Sequence, residues 1–392
     1  MIRHFIKLLW NKKRANSLMI AEIFLSFIVL FAIVSTLLTN VINYNTDIGY
    51  NAENIWIIKI DRNKRNEEDA GQRILRLKTE LKLLPEVLNA SAVNWAMIFL
   101  GSGTNSNTYF TYNDIVLLPH PFRADDDYAD LMQLTLTEGR WFSEEDNAAD
   151  IKPVIINEKL KHDMFGDEAA AGRTVLQEKN SMRIIGVVKT YKGHGEFSKP
   201  EQVIFNRVKL KGQMYDTDIY IRVAAGSGAR LEKKIMEKLS SLEKDWSYNI
   251  RSSEEIHSAY LLQTFVPLFI LAIIAGFLIL NVVLGLFGAL WYSINQRKSE
   301  IGLRRAKGAI AKQIYQQFIL EMFILAGFAV LLGIFLVIQI PILNVFPDVE
   351  WSTYLIAILS STLIIYLLIF ICAIYPSRQA MQIQPALALH DE

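Results

Sequence analysis

Four long apolar stretches constrain this chain more strongly than any other feature of its sequence. They cover residues 18–39, 265–290, 318–340 and 354–375. Each reaches the about 20 residues that an α-helix needs to cross the hydrocarbon core of a bilayer. No stretch of comparable length lies between residues 39 and 265. The pattern predicts a membrane protein with four transmembrane α-helices, one N-terminal and three C-terminal, with a large domain inserted after the first.

Composition agrees with this prediction. Hydrophobic residues make up 52% of the chain and charged residues 21%, which is more apolar than an ordinary soluble protein. The 41 Lys and Arg residues nearly balance 40 Asp and Glu residues, so no nucleic-acid partner is expected. The single cysteine, Cys372, lies in the last apolar stretch. It supports neither a disulfide framework nor a thiolate metal cluster, and we interpret it as a small helix residue.

Charge placement predicts the orientation of the chain in the membrane. The turn at 341–350 has no Lys or Arg and carries two acids, whereas the segment between the second and third stretches is basic. Its Lys and Arg residues are Arg297, Lys298, Arg304, Arg305, Lys307 and Lys312. Because Lys and Arg are enriched in short cytoplasmic loops, both termini are expected in the cytoplasm and the inserted domain outside it. The first stretch lacks a good cleavage site and is predicted to remain as an anchor.

These features predict the boundaries of the segments. The membrane helices are expected at 17–40, 265–291, 318–340 and 354–375, and the extracytoplasmic domain with its stalk at 41–264. The remaining segments are an interfacial helix lying on membrane lipid at 1–16, a cytoplasmic segment at 292–317, an external turn at 341–353 and a cytoplasmic tail at 376–392.

The inserted domain mixes strand and helix patterns. Apolar residues recur at helical spacing from Ile74 to Leu84, until Pro85 stops the pattern, and a second amphipathic helix is predicted at 229–242. Strands are predicted at 54–60, 90–95, 108–118, 154–157, 182–189, 202–208 and 218–223. The inserted extracytoplasmic domain is therefore expected to be α+β.

The sequence offers little catalytic chemistry. It contains no Gly-x-x-x-x-Gly-Lys-Ser/Thr phosphate loop, no His-Glu-x-x-His zinc pair and no Gly-x-Ser-x-Gly nucleophile elbow. The six histidines are scattered, and we interpret them as surface or loop residues. Residues 125–127 are three aspartates, which we interpret as a solvated helix start before Tyr128 rather than a cation site. No catalytic or metal site is predicted, and the chain is not expected to be an enzyme.

The membrane segments carry several unusual residues. Intramembrane acids, here Glu22 and Glu321, are functional candidates by default. Pairing with Arg14, Arg304 or Arg305 at the basic rim is favoured over proton or substrate coupling. In the second membrane helix, small residues are predicted to permit close helix packing. These residues are Gly276, Gly285 and Gly288.

A helix-start pattern precedes the second apolar stretch. Ser252 and Ser253 stand before two acids, Glu254 and Glu255, as is typical of an N-cap followed by an acidic first turn. The helix is expected to continue into the membrane as a stalk, with Pro267 permitting a bend.

The strongest motif follows the second apolar stretch. It reads Arg-Lys-Ser-Glu-Ile-Gly-Leu-Arg-Arg-Ala-Lys-Gly-Ala over residues 297–309. This motif resembles the cytoplasmic coupling segment of MacB/FtsX-type ABC transporter permeases. Positive-inside anchoring alone would explain its charge but not its Glu-Ile-Gly core. The resemblance assigns ATPase coupling to Arg297, Glu300, Ile301, Gly302, Leu303, Arg304, Arg305, Ala306 and Gly308.

Further segments resemble the same family. Residues 138–142 (Glu-Gly-Arg-Trp-Phe), 154–158 (Val-Ile-Ile-Asn-Glu) and 185–188 (Ile-Gly-Val-Val) look like its periplasmic core domain, and 375–380 and 385–389 look like its C-terminal ending. One departure is His390, where the family usually has arginine. The resemblance implies an outer subdomain at 51–127 with 199–250, and an inserted subdomain at 128–198.

The resemblance also implies a function. Such a permease subunit resides in the bacterial inner membrane, dimerises with a second copy or a paralogue, and couples ATP hydrolysis by a separate ABC ATPase subunit to movement of its periplasmic domain. ATP and magnesium would bind the ATPase and no cofactor would bind this chain directly. The substrate would be exported or extracted from the periplasm or envelope, in some family members with a periplasmic adaptor. The alternative is an FtsX-like membrane scaffold or sensor that activates a periplasmic partner.

Overall fold

Two compact units make up the structure, which is a computed structural model. It describes residues 13–62, 69–94, 109–177, 180–208, 217–296, 299, 301, 303, 306, 310–346 and 349–382. One unit, here called the membrane unit, comprises Met1–Val41 and Phe265–Glu392, and the other, the domain unit, comprises Ile42–Thr264. The membrane unit is therefore discontinuous in sequence, with the domain unit inserted between its two parts.

The described residues form the following elements. The helices are α1 Lys13–Tyr44, α2 Ala70–Lys82, α3 Tyr128–Met132, α4 Glu158–Phe165, α5 Ala229–Leu242, α6 Ser253–Gln296, α7 Ala311–Val337, α8 Gln339–Ile342 and α9 Trp351–Gln382. The strands are β1 Ile55–Arg62, β2 Val87–Asn94, β3 Phe110–Tyr112, β4 Ile115–Leu117, β5 His120–Ala124, β6 Leu136–Gly139, β7 Lys152–Asn157, β8 Thr174–Gln177, β9 Asn180–Val188, β10 Val203–Arg207, β11 Asp218–Val223 and β12 Trp246–Ser252.

Four of the described helices are long and apolar enough to cross a membrane, as the hydropathy pattern predicts. Their candidate spans are Met19–Tyr44, Ser253–Gly285, Gln316–Ile342 and Trp351–Ile374. Helices α1, α7 and α9 form most of the apolar core of the membrane unit. Gly333 on α7 permits close packing, because a Cβ there would lie 2.3 Å from the ring of Phe27 on α1. The predicted four-helix architecture is confirmed.

The domain unit contains a 12-stranded mixed sheet. The strand order is β12-β1-β11-β2-β5-β10-β7-β9-β8-β3-β4, with β6 paired to β9. The pairs β5–β10 and β7–β9 are parallel, and the other pairs are antiparallel. One sheet therefore includes strands from both predicted subdomains, and the division into subdomains stays a prediction.

The two predicted amphipathic helices pack on one end of this sheet. Helix α2 ends at Lys82, before Pro85, because proline lacks the N–H that would continue the helix. Its apolar face is completely buried at Ile74, Leu77 and Leu81. Helix α5 packs with it against β1, β2, β11 and β12. The α+β prediction for the inserted domain is confirmed.

The single strand predicted at 108–118 is wrong. The structure has two strands there, β3 and β4, which pair antiparallel with Phe110 opposite Leu117 and Tyr112 opposite Ile115. Asn113 adopts a φ of 50° between them. Asparagine tolerates this left-handed conformation better than most residues, so Asn113 and Asp114 form the turn of a hairpin inside a run that is otherwise typical of one strand.

The interpretation of residues 125–127 as solvated aspartates is also wrong. A helix does begin at Tyr128, but Asp125 is only 5% exposed. Its carboxylate accepts hydrogen bonds from Lys78 Nζ at 2.5 Å, Ser91 Oγ at 2.6 Å and the backbone N–H of Ala92 at 2.8 Å. The three partners come from α2 and β2. The aspartate therefore joins a helix to the sheet inside the domain unit.

The remaining two aspartates of this triplet are paired with basic residues. Asp127 forms ion pairs with Lys78 and Lys82, and Asp126 binds Arg207 on β10 with two short hydrogen bonds. Burial lowers the pKa of Lys78, but the adjacent Asp125 and Asp127 carboxylates outweigh that effect and raise it. Each of the three aspartates is therefore paired with a basic side chain of the domain unit.

Candidate functional site

The predicted coupling segment is only partly described. Ile301 is 4% exposed and belongs to the apolar core of the membrane unit. Leu303 and Ala306 are exposed. The other coupling residues lie outside the described part of the chain, and their ATPase-coupling role stays a prediction. They are Arg297, Glu300, Gly302, Arg304, Arg305 and Gly308.

The two intramembrane acids have different surroundings. Glu321 is 7% exposed, and Gln317 Nε2 lies 3.4 Å from its Oε1. Glu22 on α1 lies against α6 at Gly285, where an added Cβ would be 2.5 Å from the Glu22 carboxylate. The side chains of the arginines predicted to pair with these acids lie outside the described residues. Their pairing stays a prediction.

The three glycines of the second span differ in how closely other residues approach them. Gly285 permits the close approach of Glu22 just described. A Cβ built at Gly276 or Gly288 would meet no heavy atom of the described residues within 4 Å. Within the described chain, then, only Gly285 of this set lies at a close helix contact. The predicted packing role of the other two stays untested.

A second candidate site lies in the domain unit. It is the loop from 189 to 202 between β9 and β10, here called the stalk loop. Lys192 in this loop is completely buried. Its Nζ donates to the carbonyl oxygens of Asn43 at 2.6 Å, Thr46 at 3.1 Å and Glu196 at 3.4 Å. Two of these carbonyls lie at the C-terminal end of α1.

The charge of Lys192 suits this position. The last carbonyls of an α-helix have no partner within the helix and carry the negative end of its dipole. A buried ammonium group satisfies them where water cannot. Burial lowers the pKa of Lys192, and the nearby Asp47 and Glu196 carboxylates oppose that effect. The lysine therefore serves as a cap for the helix that enters the domain unit from the membrane.

Phe197 connects the stalk loop to both flanking helices. Its carbonyl accepts a hydrogen bond from Asn43 Nδ2 at 2.8 Å, and its ring stacks on Tyr44, with the centroids 5.5 Å apart. On the other side its N–H donates to Tyr260 Oη at 3.1 Å, and its ring stacks on the Tyr260 ring. Asn43 and Tyr44 end α1, and Tyr260 lies in the second turn of α6. One side chain thus contacts the end of one stalk helix and the start of the other.

Two glycines permit this close approach. Gly195 has a φ of 91°, and a Cβ there would lie 2.6 Å from the ring of Tyr260. Gly49 has a φ of 87°, and a Cβ there would lie 1.9 Å from the carbonyl oxygen of Thr190. Both backbone conformations are accessible to glycine at little cost. The stalk loop therefore fits against both helices only because these two positions lack side chains.

The predicted start of α6 is confirmed. Ser252 Oγ accepts a hydrogen bond from the N–H of Glu255 at 3.1 Å, as an N-cap residue does. The helix then continues through Pro267 to Gln296. His257 lies one turn in, and its Nε2 is 2.6 Å from Glu196 Oε1 in the stalk loop. The sequence pattern predicted the start of α6 but not the contact between His257 and Glu196.

Three of the histidines form a group that the sequence analysis did not predict. His257, His194 and His120 are half-buried, and each lies near a glutamate of the stalk loop. His120 belongs to β5 rather than to a loop. Among the residues that the structure describes, no group of three or more His, Cys, Asp or Glu side chains is arranged to hold a metal ion.

The Glu-Gly-Arg-Trp run at 138–141 connects several elements of the domain unit. Glu138 accepts hydrogen bonds from the N–H groups of Ala170 and Ala171 and pairs with Lys161. Burial raises the pKa of Glu138, but these three partners outweigh it and lower the pKa. Trp141 Nε1 donates to the Asp125 carbonyl at 3.1 Å. This run is structural, since each of these contacts connects separate elements.

Gly139 in the same run provides a test of the packing. It has a φ of 65°, and a Cβ there would lie 2.0 Å from the carbonyl oxygen of Ile185. We expect Gly139→Ala to destabilise the protein by about 2 kcal/mol, because it combines backbone strain with a clash against rigid backbone. Thermal unfolding of the full-length chain in detergent measures the loss. Gly172→Ala is the matched control, with a φ of 89° and no atom within 4 Å of the added Cβ. A loss in the control as large as that in Gly139→Ala would contradict the clash.

These contacts define a class of protein. It is a membrane protein with an inserted domain that contacts the end of α1 and the start of α6. Comparison with known sequences gives the family. A model of the MacB-like periplasmic core domain matches residues 19–237, and a model of the FtsX-like permease C-terminal region matches residues 261–385. The chain therefore belongs to the MacB/FtsX-like permease family.

Similar proteins include transporters and permeases. The macrolide export ATP-binding/permease protein MacB of Neisseria gonorrhoeae is 25% identical over 238 residues, which are 59% of this chain and 37% of that protein. The chain thus matches little more than a third of that relative's length. The uncharacterized ABC transporter permease YvrN of Bacillus subtilis is 25% identical over 71% of each chain.

Solved structures match about half of this chain at low sequence identity. The periplasmic region of MacB from Actinobacillus actinomycetemcomitans is 18% identical, with a TM-score of 0.38, over 55% of this chain and 96% of that one. The extracellular domain of the transporter YknZ from Gram-positive bacteria is 12% identical, with a TM-score of 0.35, over 50% of this chain and all of that one.

Proposed function

We propose that this chain is the permease subunit of a MacB-type ABC transporter in the bacterial inner membrane, with both termini in the cytoplasm. An ABC ATPase subunit would bind ATP and magnesium, and its movements would pass through the coupling segment into the membrane helices. Those helices would move the periplasmic domain to export or extract an envelope substrate. A second copy of the chain, or a paralogue, completes the proposed assembly.

The contacts of the stalk loop carry this proposal. A domain that is moved by its membrane helices needs firm attachment to the helix ends, because a flexible linker would absorb the displacement. Here Lys192 and Phe197 attach the loop to the end of α1, and Phe197 also attaches it to the start of α6. Helix α6 is continuous from Ser253 to Gln296, which at 1.5 Å per residue is roughly 65 Å. Such a helix would transmit axial movement from one side of a membrane to the other.

The coupling segment provides the test. We expect Arg304→Glu combined with Arg305→Glu to reduce retention of an ABC-type ATPase by roughly tenfold, because like charges across an interface cost several kcal/mol. The tagged full-length chain is purified in mild detergent from membranes of its own bacterium. Mass spectrometry identifies the ATPase, and ATP hydrolysis is measured in the eluate.

The control variant combines Arg230→Glu with Lys233→Glu. These residues are exposed on α5 of the domain unit and give the same change in charge. ATPase retention by the wild type and the control, with loss in the coupling variant, supports the proposal. Retention by all three proteins contradicts the role of the two arginines. Recovery of a cell-wall hydrolase or kinase without any ATPase would favour the FtsX-like scaffold instead.

A further inference from the structure

The stalk loop concentrates titratable pairs at the attachment of the domain to its helices. His257 Nε2 lies 2.6 Å from Glu196 Oε1, and this pair joins α6 to the loop. His194 Nδ1 lies 2.8 Å from Glu201 Oε1 within the loop. His120 Nε2 on β5 lies 3.9 Å from Glu201 Oε2. Three histidines therefore share two glutamates, and both glutamates belong to the segment that contacts α1 and α6.

The glutamates are the more enclosed partners. The side chains of Glu196 and Glu201 are 15% and 13% exposed, whereas the three histidines are 35–37% exposed. A carboxylate in such a position gains from a neighbouring cation, because little water remains to solvate it. A histidine is the side chain whose charge changes near neutral pH. The His194–Glu201 pair therefore changes from an ion pair to a neutral hydrogen bond as His194 loses its proton.

We propose that the stalk loop is a pH-responsive latch, which the His257–Glu196, His194–Glu201 and His120–Glu201 pairs hold closed, and which loosens when His194 loses its proton. The latch concerns the domain unit alone and holds with or without an ATPase. Its consequence for transport rests on the proposed function: the domain would be attached more firmly to its stalk helices at mildly acidic pH.

The direction of the pH dependence follows from the His194–Glu201 pair. The hydrogen bond with Glu201 raises the pKa of His194, and its partial burial opposes that effect. A group whose pKa is raised in the folded state stabilises that state below its unfolded pKa and loses this contribution as the pH rises through the folded value. Stabilisation of the loop is therefore complete in mild acid and is lost towards alkaline pH.

Other charged groups lie around the two glutamates. Lys199 in the loop lies near Glu201, and Lys159 on α4 lies near Lys199. Lys192 lies near both Asp47 and Glu196, and the Tyr260 ring stacks on His257. The ordinary pKa values of lysine, tyrosine and aspartate lie well outside pH 6 to 8. Histidine variants distinguish the latch from a contribution of the buried Lys192.

Hydrogen exchange of the full-length chain in detergent tests the latch. Exchange of peptides covering residues 189–202 is followed by mass spectrometry at pH 6 and pH 8, and each rate is divided by the intrinsic rate at that pH. This protection factor reports local opening. We expect protection about fivefold greater at pH 6, since two partly exposed ion pairs together have a modest effect. Peptides from β7 serve as the internal reference for an intact fold.

Glutamine variants identify the groups responsible. His257→Gln combined with His194→Gln keeps side-chain amide donors but cannot titrate, so the pH dependence should fall to less than about twofold. His162→Gln is the control, because His162 is exposed on α4, and it should retain the full dependence. Equal protection of the wild type at the two pH values would overturn the latch. So would an undiminished dependence in the double variant, which would assign the effect to groups other than His257 and His194.

Discussion

Replacing Lys192 by methionine should detach the stalk loop from the end of α1. The change leaves the carbonyls of Asn43, Thr46 and Glu196 without their shared donor and removes a cation from the negative end of a helix dipole. Hydrogen bonds to charged groups contribute about 1.5–3 kcal/mol, and the Asn43 carbonyl keeps one other donor, the Thr46 N–H. Relief of the cost of burying an ammonium group offsets part of it. We expect a net destabilisation of about 3 kcal/mol.

Thermal unfolding of the full-length chain measures this loss. For a unit of this size, about 3 kcal/mol corresponds to a midpoint lower by roughly 6–12 °C. Lys189→Met is the control, since Lys189 belongs to the same loop but is 53% exposed and forms only a long ion pair with Asp47, at 3.5 Å. An exposed pair contributes at most about 1 kcal/mol. Equal shifts in the two variants would show that Lys192 does not act as the helix cap described above.

The Lys192 contacts are an example of a structural feature that the sequence did not predict. The four spans and the helices α2 and α5 were predictable, because their apolar spacing reports burial directly. Lys192 gives no such signal: a lysine in a polar, glycine-containing run is typical of a solvated loop. Two of its three acceptors, the carbonyls of Asn43 and Thr46, lie 149 and 146 residues away along the chain. Only the tertiary fold brings the end of α1 next to Lys192.

The aspartates at 125–127 illustrate the same limit. A run of acids before a helix is ordinarily solvated, and the sequence contains nothing that marks Asp125 as buried. Lys78, its partner, lies on α2. The pairing depends on α2 crossing β2, which local sequence does not specify. Periodicity in the sequence therefore predicts which apolar residues are buried. It does not predict which polar residues are buried and connect two elements.

Replacing Asp125 by alanine should have the largest effect of any substitution considered. It removes the acceptor of Lys78 Nζ, Ser91 Oγ and the Ala92 N–H and leaves a buried ammonium group with one remaining carboxylate, Asp127. Removing one partner of a buried ion pair costs about 3–5 kcal/mol. Natural domains are stable by only about 5–15 kcal/mol. We expect a thermal midpoint lower by more than about 10 °C.

A double-variant cycle separates the buried charge from the lost hydrogen bonds. Asp130→Ala, an exposed acid on α3, is the control and should change stability by less than about 0.5 kcal/mol. Adding Lys78→Met to Asp125→Ala removes the uncompensated ammonium, so the double variant should be more stable than Asp125→Ala alone. If Lys78→Met instead destabilises the Asp125→Ala protein further, the remaining pairing with Asp127 is sufficient for the lysine. The loss in Asp125→Ala would then come from Ser91 and the β2 backbone, and the aspartate would connect the sheet to the start of α3 rather than to α2.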